Sequence, residues 1–256
     1  MTSERRVLVH ADATSLAGSV AARFITKVID LLDEKPVVHL VLTGGRVGTA
    51  ILASINDSEA RDSIDWSRVH VWWGDERWLP DGDGERNDTQ ARDALLNQID
   101  LAPERIHAFA TSYSGIGLDE AAEAYALELR AAAEGGADAP VFDITFLGVG
   151  PDGHIASLFP DMEGVRERER TVIPVRNAPK PPPERLSLTM PTLNGSDRIW
   201  MSLSGSDKAS ALGLALAGAN PIQVPAAGAR GTKRTVFFVD GDAAAEVPPR
   251  LISPEY

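Results

Sequence analysis

The sequence contains no cysteine, only 6% aromatic residues and no long apolar run. Without cysteine, the chain can form no disulfide and perform no thiolate chemistry, and this composition fits a reducing compartment. No segment approaches the roughly 18 consecutive apolar residues that span a membrane. The first residues, MTSERRVLVHADA, also lack the apolar core of a secretion signal. We therefore expect a cytoplasmic protein that does not enter a membrane.

Positive charge is also scarce. The 256 residues include 25 Lys and Arg against 37 Asp and Glu, which gives a formal net charge of −12. A nucleic-acid-binding protein normally has a basic face, so we expect no nucleic-acid partner. A small anionic substrate remains compatible with this charge, because local Arg, Lys or backbone N–H groups can outweigh the background field.

The sequence does contain apolar, β-branched runs that alternate with helical patterns. Such an alternation is typical of a mostly parallel sheet covered on both faces. We predict an α/β fold: a three-layer, doubly wound, mostly parallel sheet with helices on both faces and a smaller β-containing subregion in the C-terminal half. The length and the 43% hydrophobic content allow a single domain over residues 1–256. The patterns predict strands within 6–11, 37–45, 68–77, 105–110, 142–150, 171–178, 185–193, 198–205 and 234–240, and helices within 12–35, 46–55, 87–96, 118–134 and 206–218.

The first candidate site is the segment LTGGRVGTA, which runs from Leu42 to Ala50. A strand ends there, Gly44 and Gly45 permit a tight turn with exposed N–H groups, and a helix follows. Ligands of α/β sheets bind at such carboxyl ends of strands, and a helix N-terminus attracts anions. The spacing matches neither the dinucleotide nor the Walker phosphate motif. A phosphate loop and an ordinary strand-to-helix turn therefore both remain open.

The second candidate is the charged group Asp75, Glu76 and Arg77, which leaves the end of an apolar strand beside three tryptophans. Aromatic surface would desolvate these charges and make their pairing matter. The pattern favours a functional site over a solvated surface loop, although charged loops are common. Asn87 or Asp88 is expected to cap the helix that follows.

The third candidate is the turn GPDGHIAS, which places Asp152 and His154 directly after a buried strand. An Asp-x-His pair can orient an imidazole as a general base, or supply two ligands of a metal. A third ligand at a short spacing is not evident, so the base is favoured and no metal is expected. Ser157 does not lie in a G-x-S-x-G nucleophile motif and is expected to pack or to cap.

Four cations form a distributed fourth group: Arg176, Lys180, Arg185 and Lys208. Lys208 follows SLSGSD at the start of a predicted helix, where the helix dipole disfavours a cation. That placement is favourable if an anion lies between the helix start and the ammonium group. An exposed lysine is the alternative.

Five motifs occur in a fixed order along nearly the whole chain: LTGGRVGTA, WWGDERWLPDGDGERND, LGVGPDGHIASLFP, PKPPPERLSLTMPTLN and LSGSDKASAL. In this order they resemble the motifs of the 6-phosphogluconolactonases, which share a superfamily with the glucosamine-6-phosphate deaminases. Five ordered motifs are far more specific than any one of them. The resemblance implies an enzyme that hydrolyses 6-phospho-D-glucono-1,5-lactone in the oxidative pentose phosphate route, without a cofactor.

The resemblance also assigns roles to residues at matching positions. It implies that His154 activates water, that Asp152 orients the imidazole, and that Asp75 and Arg77 act beside them in catalysis. The residues implied to bind the substrate and its phosphate are Gly44, Gly45, Arg46, Thr49, Asn87, Arg176, Arg185 and Lys208. The family's phosphate loop usually reads Gly-Gly-Ser-Thr-Pro, so Arg46 or Thr49 is expected to replace its hydroxyl.

Phe159 favours a lactonase over a deaminase. The corresponding loop of the deaminases resembles DGHIAFNEP, with a glutamate that completes an acid–base relay at the position of Phe159. A glucosamine-6-phosphate deaminase or isomerase remains the first alternative. A non-catalytic sugar-phosphate-binding sensor is the second, although sensors usually have an added domain, for which the motifs leave no room. The expected partner is a small sugar-phosphate lactone, bound by a monomer or a small homo-oligomer.

Overall fold

The computed structural model describes residues 4–245 and 247–249, which form nine β-strands, seven α-helices and several short 3₁₀ turns. The strands are β1 (Glu4–His10), β2 (Val38–Leu42), β3 (Val69–Trp73), β4 (Asp75–Arg77), β5 (Ile144–Gly148), β6 (Val172–Val175), β7 (Arg185–Leu188), β8 (Arg198–Leu203) and β9 (Arg234–Asp240). The helices are α1 (Ala13–Glu34), α2 (Gly45–Asn56), α3 (Asn87–Ala94), α4 (Leu118–Ala132), α5 (Met190–Asn194), α6 (Ala209–Leu216) and α7 (Pro225–Gly228).

The main sheet contains six parallel strands in the order β1-β9-β8-β5-β2-β3, and helices flank it. A second, antiparallel sheet has the order β4-β7-β6. The predicted fold class is therefore confirmed. The small sheet takes β6 and β7 from the C-terminal half, as expected, but its third strand, β4, comes from the N-terminal half, directly after β3. A single domain over residues 1–256 stays a prediction.

The core is built from the apolar runs of the sequence. Each residue from Ile144 to Leu147 is buried, because β5 lies between β2 and β8 in the middle of the main sheet. Helix α1 buries residues three or four positions apart along one face. Asp12 caps it as expected and accepts a hydrogen bond from the Ser15 N–H at 2.7 Å. No helix in the described ranges is both long and apolar enough to cross a membrane.

The strand predicted for residues 105–110 is wrong. Within the part of the chain that the structure describes, this segment joins the main sheet only through a single bridge between Ile106 and Val71. The carbonyl of Phe109 accepts a hydrogen bond from the Arg86 guanidinium at 2.8 Å instead of a strand N–H. A side chain from a distant loop therefore satisfies backbone that the apolar pattern assigned to a strand.

The strand predicted for residues 185–193 ends at Leu188, and the short helix α5 follows it. Pro191 has no N–H to donate to a sheet, and it lies in the first turn of α5, where no intrahelical donor is needed. The apolar pattern alone could not separate the two elements.

Candidate active site

A cleft of about 230 Å³ opens at the carboxyl ends of three neighbouring strands, β2, β5 and β8. Ligand sites of open α/β sheets are expected at this edge. The cleft takes residues from the loop after each strand, from β4 and from the proline-rich loop. Its lining residues are Thr43–Gly48, Asp75, Arg77, Asn87, Gly148–Pro151, His154, Ala156, Lys180, Arg185, Ser202, Ser204 and Lys208.

Asp152 and His154 form a hydrogen-bonded pair on the turn after β5. The imidazole Nδ1 lies 2.5 Å from Asp152 Oδ1. Gly150 lies beneath the pair, and a Cβ at this position would overlap both side chains. Gly153 adopts a φ of +81°, which a residue with a side chain rarely does, and its N–H bonds to the Gly150 carbonyl at 2.9 Å. The two glycines therefore allow the carboxylate and the imidazole to meet.

The charge on Asp152 decides which nitrogen of His154 bears the proton. Partial burial raises the pKa of Asp152, but the hydrogen bond and charge of His154 and the nearby Lys180 outweigh it and hold that pKa well below its usual range. Lys180 Nζ lies 3.7 Å from Asp152 Oδ1. An ionised carboxylate only accepts hydrogen bonds, so Nδ1 of a neutral His154 is the donor and Nε2 has the lone pair.

Phe159 connects the imidazole to a buried guanidinium. Its ring centroid lies 4.7 Å from that of His154, tilted by 39°. The guanidinium carbon of Arg185 lies 5.6 Å from the same ring centroid, within cation–π distance. Phe159 is only 1% exposed. At this position the chain therefore presents an apolar ring, with no carboxylate, to both polar groups.

Asp75 is the centre of a buried polar network. Its Oδ2 accepts a hydrogen bond from the Ser157 hydroxyl at 2.7 Å and lies 4.0 Å from Arg185 Nη1. The Asn87 amide donates to the Asp75 carbonyl at 2.8 Å and lies 3.4 Å from Oδ1. Asp75 thus joins β4, α3, the turn after β5 and the start of β7. Ser157 is buried, as expected, but it binds a carboxylate rather than capping a helix.

Glu76 holds the start of α3 from inside the protein. Its carboxylate accepts hydrogen bonds from the backbone N–H groups of Arg77, Asn87 and Asp88 at 2.7–2.9 Å. Burial raises the pKa of Glu76. The buried Arg86 guanidinium, 3.8 Å away, and these N–H donors act in the opposite direction, but burial outweighs them. The prediction that Asn87 or Asp88 caps this helix is therefore wrong. The N-cap position is Arg86, and Glu76 supplies the acceptor for the first N–H groups.

Lys208 reaches the cleft from the turn after β8. It ends a 3₁₀ turn, Ser206–Lys208, so the helix predicted from residue 206 begins only at residue 209. Asp240 anchors this turn by accepting hydrogen bonds from the Ser204 hydroxyl at 2.6 Å and the Gly205 N–H at 3.1 Å. Lys208 Nζ lies 3.3 Å from Asp207 Oδ2, and only 18% of its side chain is exposed.

Arg46 lines the cleft beside the glycine turn, whereas Thr49 does not. The Thr49 hydroxyl lies 3.4 Å from the Gln90 side-chain oxygen, and the Gly45 N–H lies at the same distance from it. A Cβ at Gly44 would overlap the Asn87 side chain, so glycine is required for the close approach of these two segments. Of the two expected replacements for the missing hydroxyl, the structure brings only Arg46 into the cleft.

Arg176 lies outside the cleft. It forms an ion pair with Asp119, with Nη2 2.6 Å from Oδ2, and lines a separate cavity behind Phe159. Asp152 lies at the rim, bonded to His154. Nine of the twelve residues expected at the site line the cleft, and Arg176, Thr49 and Asp152 do not.

A metal bound by Asp152 and His154 is the less favoured of the two alternatives that the sequence left open. Over the described residues, no group of three or more His, Cys, Asp or Glu side chains is arranged to hold a metal ion. Lys180 Nζ lies 3.7 Å from Asp152 Oδ1, and a cation next to a metal ligand weakens metal binding by repulsion.

The comparison with known proteins agrees with the geometry. The family model described as "Glucosamine-6-phosphate isomerases/6-phosphogluconolactonase" matches residues 11–238. A 6-phosphogluconolactonase of Streptomyces coelicolor is 50% identical over 258 residues, 99% of both chains. One of Mycobacterium tuberculosis is 44% identical over 242 residues, 94% of this chain and 97% of the relative. This chain belongs to the glucosamine-6-phosphate isomerase/6-phosphogluconolactonase family. The crystal structure of 6-phosphogluconolactonase from Thermotoga maritima superimposes with a TM-score of 0.81 at 27% identity, covering 93% of this chain and 100% of that one.

Family motifs alone gave no role to four residues that shape the cleft: Ser157, Glu76, Lys180 and Asp240. Ser157 and Glu76 lie inside the motifs, but Ser157 donates to Asp75, 82 positions away, and Glu76 accepts from the Asn87 N–H, 11 positions away. Asp240 could have been predicted from the sequence. It is a carboxylate at the carboxyl end of an apolar strand, which is the edge of the sheet where ligands bind. Lys180 lies in the proline-rich loop, and its approach to Asp152 follows from the folding of that loop.

Proposed function

We propose that this chain is a 6-phosphogluconolactonase that hydrolyses 6-phospho-D-glucono-1,5-lactone to 6-phospho-D-gluconate. The observation on which the proposal rests is the imidazole of His154, oriented by an ionised Asp152 at the edge of a cleft with five cations. These cations are Arg46, Arg77, Lys180, Arg185 and Lys208. A base next to a strongly cationic cleft suits an anionic substrate whose other end is an ester.

His154 acts as the general base in this proposal. Its Nε2 takes a proton from water as the water oxygen attacks the lactone carbonyl carbon, and a tetrahedral intermediate forms. When the bond from this carbon to the ring oxygen breaks, the protonated imidazole returns the proton to the departing oxygen. Asp152 stabilises the transient imidazolium and keeps Nδ1 as the donor. The step needs only the lactone, one water molecule and the His154 imidazole, which takes up and returns one proton.

Arg77 and Lys180 are the cations assigned to the reacting end. Arg77 lines the cleft from β4, and one of its Nη1 hydrogen bonds holds the backbone carbonyl of Glu85, which fixes the guanidinium in place. A fixed cation near the carbonyl oxygen stabilises the negative charge that develops there. Lys180, close to Asp152, adds to the positive field at the same end.

The phosphate is assigned to the opposite end of the cleft. The Gly44–Gly45 turn opens α2, whose N-terminal N–H groups attract anions, and Arg46 lies in its first turn. Lys208 faces the cleft from the turn after β8. Arg185 donates to the carbonyls of the proline-rich loop, and its Nη1 lies nearest Asp75. Binding the remote dianion aligns the lactone carbonyl with His154.

The position of Phe159 supports hydrolysis over deamination. Besides the Asp–His pair, the deaminase loop has a glutamate that relays protons, but at that position this chain has the buried Phe159 ring, 4.7 Å from the imidazole centroid. The Asp75 carboxylate is already bound to the Ser157 hydroxyl and to the Asn87 amide. Neither Phe159 nor Asp75 is therefore placed as a free proton relay.

A coupled assay tests the proposal. Fresh lactone is generated in place by glucose-6-phosphate dehydrogenase, and the product is followed through 6-phosphogluconate dehydrogenase with and without this protein. We expect a rate well above the uncatalysed hydrolysis, which is subtracted. Ammonia release from glucosamine 6-phosphate would contradict the lactonase assignment. Tight binding of 6-phosphogluconate without turnover of the lactone would instead favour a sensor.

A further inference from the structure

The proline-rich loop, residues 178–184, lies between β6 and β7 and brings Lys180 to the wall of the catalytic cleft. The family resemblance gives this lysine no role. Its Nζ lies 3.7 Å from Asp152 Oδ1, and 44% of its side chain is exposed. A charge in this half-buried position acts on the Asp152–His154 pair from the side opposite to the chain segment that bears the pair, because the loop is more than 20 positions away in the sequence.

Arg185 holds this loop in place. Its Nε and Nη2 atoms donate hydrogen bonds at 3.0–3.1 Å to three successive backbone carbonyls, those of Lys180, Pro181 and Pro182. Arg185 is only 5% exposed, so water competes little for these donors. The prolines restrict the backbone further, because each ring fixes its own φ angle. The backbone that bears Lys180 is therefore anchored from inside the protein.

Lys180 and His154 approach the same oxygen atom of Asp152. The imidazole Nδ1 lies 2.5 Å from Oδ1, and the ammonium Nζ lies 3.7 Å from it. Because both distances end on one atom, the two nitrogens lie within about 6 Å of each other. Charges at this separation influence each other's protonation even where water reaches one of them. One carboxylate oxygen thus serves two basic groups.

The carboxylate itself responds to both groups. Burial raises the pKa of Asp152, but the hydrogen bond and charge of His154, followed by the charge of Lys180, hold that pKa well below its usual range. Among the residues that the structure describes, the other charged side chains that line the cleft are Arg46, Asp75, Arg77, Arg185 and Lys208. Lys180 is therefore the lysine of the cleft that acts directly on the oriented base.

An ammonium group in this position opposes protonation of the imidazole in two ways. It repels the positive charge of an imidazolium, and it uses part of the Asp152 charge that would otherwise stabilise this imidazolium. A carboxylate alone orients a histidine but also favours its protonated form, which cannot act as a base. A cation on the same carboxylate oxygen offsets this second effect while the orienting hydrogen bond remains.

We propose that Lys180 is a positioning residue that keeps His154 available as an unprotonated base by sharing the Asp152 oxygen. The effect on rate rests on the proposed lactonase function, whereas the effect on His154 is present without substrate. Water screens the half-exposed ammonium, so the expected size is about 0.3–1 pH unit. Arg185 contributes by fixing the loop.

The pH dependence of kcat/KM on fresh lactone measures the effect on the reaction. Replacing Lys180 by methionine removes the charge at similar length and should move the acidic limb of the profile to higher pH by about 0.3–1 pH unit. Lys180→Arg retains the charge and should keep the limb within about 0.2 pH unit of the parent. Lys233→Ala, which removes the same charge from a 61% exposed side chain outside the cleft, is the matched control.

Nuclear magnetic resonance titration of the histidine rings measures the same effect without substrate. The chain has five histidines, and the signal of His154 is the one missing from His154→Gln. In Lys180→Met this ring should become half protonated about 0.3–1 pH unit higher than in the parent. The difference should shrink when salt rises from about 0.05 to 0.5 M, because the ammonium is partly exposed to solvent.

Three results would overturn the proposal. One is the same half-protonation pH of His154 in the parent and in Lys180→Met. A second is an equal shift in Lys180→Arg or in Lys233→Ala, which would show that lost shape or net charge is the cause. The third is an active enzyme in which the ring titration shifts but the limb of kcat/KM does not. A ring shift in a chain that turns over no lactone would support the action of Lys180 on His154 and refute the lactonase assignment, so the two failures are distinguishable.

Discussion

At the scale of single residues, the cleft depends on which side chains are left free by the fold. Asp152, Asp75 and Arg185 are all polar and all near the substrate space, but each is already bound to protein groups. His154 is bonded to Asp152 through Nδ1, which leaves Nε2 for other partners, and Lys208 lies against the turn after β8 with most of its side chain buried. We therefore expect a change at His154 to lower catalysis and a change at Lys208 to weaken substrate binding.

Replacing His154 by alanine should lower kcat by about 10²–10⁴-fold, the usual contribution of a general base. The melting temperature should change little, because His154 lies at the surface of the cleft and Ile155 and Leu158 hold the turn through backbone bridges. Steady-state kinetics on fresh lactone and thermal unfolding measure the two effects. A His154→Ala enzyme of nearly normal turnover would exclude this imidazole as the base.

Replacing Lys208 by alanine should raise KM about 10- to 100-fold with a smaller change in kcat, since a charged hydrogen bond to the phosphate is lost. The matched control is Lys233→Ala, which removes the same charge from a side chain that is 61% exposed and outside the cleft. The role of Lys208 in phosphate binding would be refuted by equal KM values for the two variants.

At the scale of elements, the site is assembled by contacts between loops rather than within them. Glu76, on β4, binds the N-terminus of α3, and α3 supplies Asn87 to Asp75. Asp240, at the end of β9, holds the turn that presents Lys208. Each element therefore depends on a carboxylate from another element, so a change far from the substrate can displace the cleft.

Replacing Glu76 by alanine should lower the free energy of unfolding by about 3–5 kcal/mol, because the buried N–H groups of Asn87 and Asp88 lose their acceptor and Arg86 keeps only Asp88 as its carboxylate partner. Urea denaturation measures this loss. In the variant that remains folded at low temperature, activity should also fall, because Asn87 and Asp75 lose their support. Glu85→Ala, an exposed change nearby, should stay within about 0.5 kcal/mol of the parent. Equal stability of the two variants would count against the role of Glu76.

At the scale of the whole molecule, a stack of histidines lies near the amino-terminal ends of β2 and β3, at the opposite edge of the main sheet from the cleft. His39 on β2, His70 on β3 and His107 after β3 stack with centroid distances of 5.0 and 5.1 Å. Burial, then the neighbouring histidine charges, lowers the pKa of His39 to about 3 and that of His70 to about 4. The charged groups that face the stack are Lys35, Arg105, Glu128 and Asp143.

These lowered pKa values predict acid sensitivity. Between pH 6.5 and 4 the unfolded chain binds protons at His39 and His70 that the folded chain does not bind, so the free energy of unfolding falls as the pH falls. The slope for His39 is at most about 1.4 kcal/mol per pH unit, and it is smaller for the more exposed His70. Urea denaturation from pH 7 to pH 5 should show a flatter dependence for His39→Gln than for the parent. His10→Gln, outside the stack, is the control, and an unchanged slope in His39→Gln would contradict the prediction.

The sequence by itself determined the class of fold and the order of the motifs. Apolar runs without polar interruption, such as residues 236–239, are typical of strands that are buried on both faces, and in a parallel sheet helices cover these faces. Glycines before a polar turn, as at Gly150 and Gly153, mark a strand end where side chains can converge. These are local properties, so neighbouring residues in the chain are enough to predict a buried strand and the turn that ends it.

Only the tertiary structure decided which of the candidate residues share a cleft and which are already bound elsewhere. Arg176 pairs with Asp119 and Thr49 faces Gln90, so neither lines the cleft, whereas Lys180 folds back beside Asp152. The physical reason is that a charged side chain is satisfied by whichever partner the fold brings within a few ångströms. Such partners lie far apart along the chain, 57 positions for Arg176 and Asp119 and 105 positions for Thr43 and Gly148, so no local sequence pattern contains them.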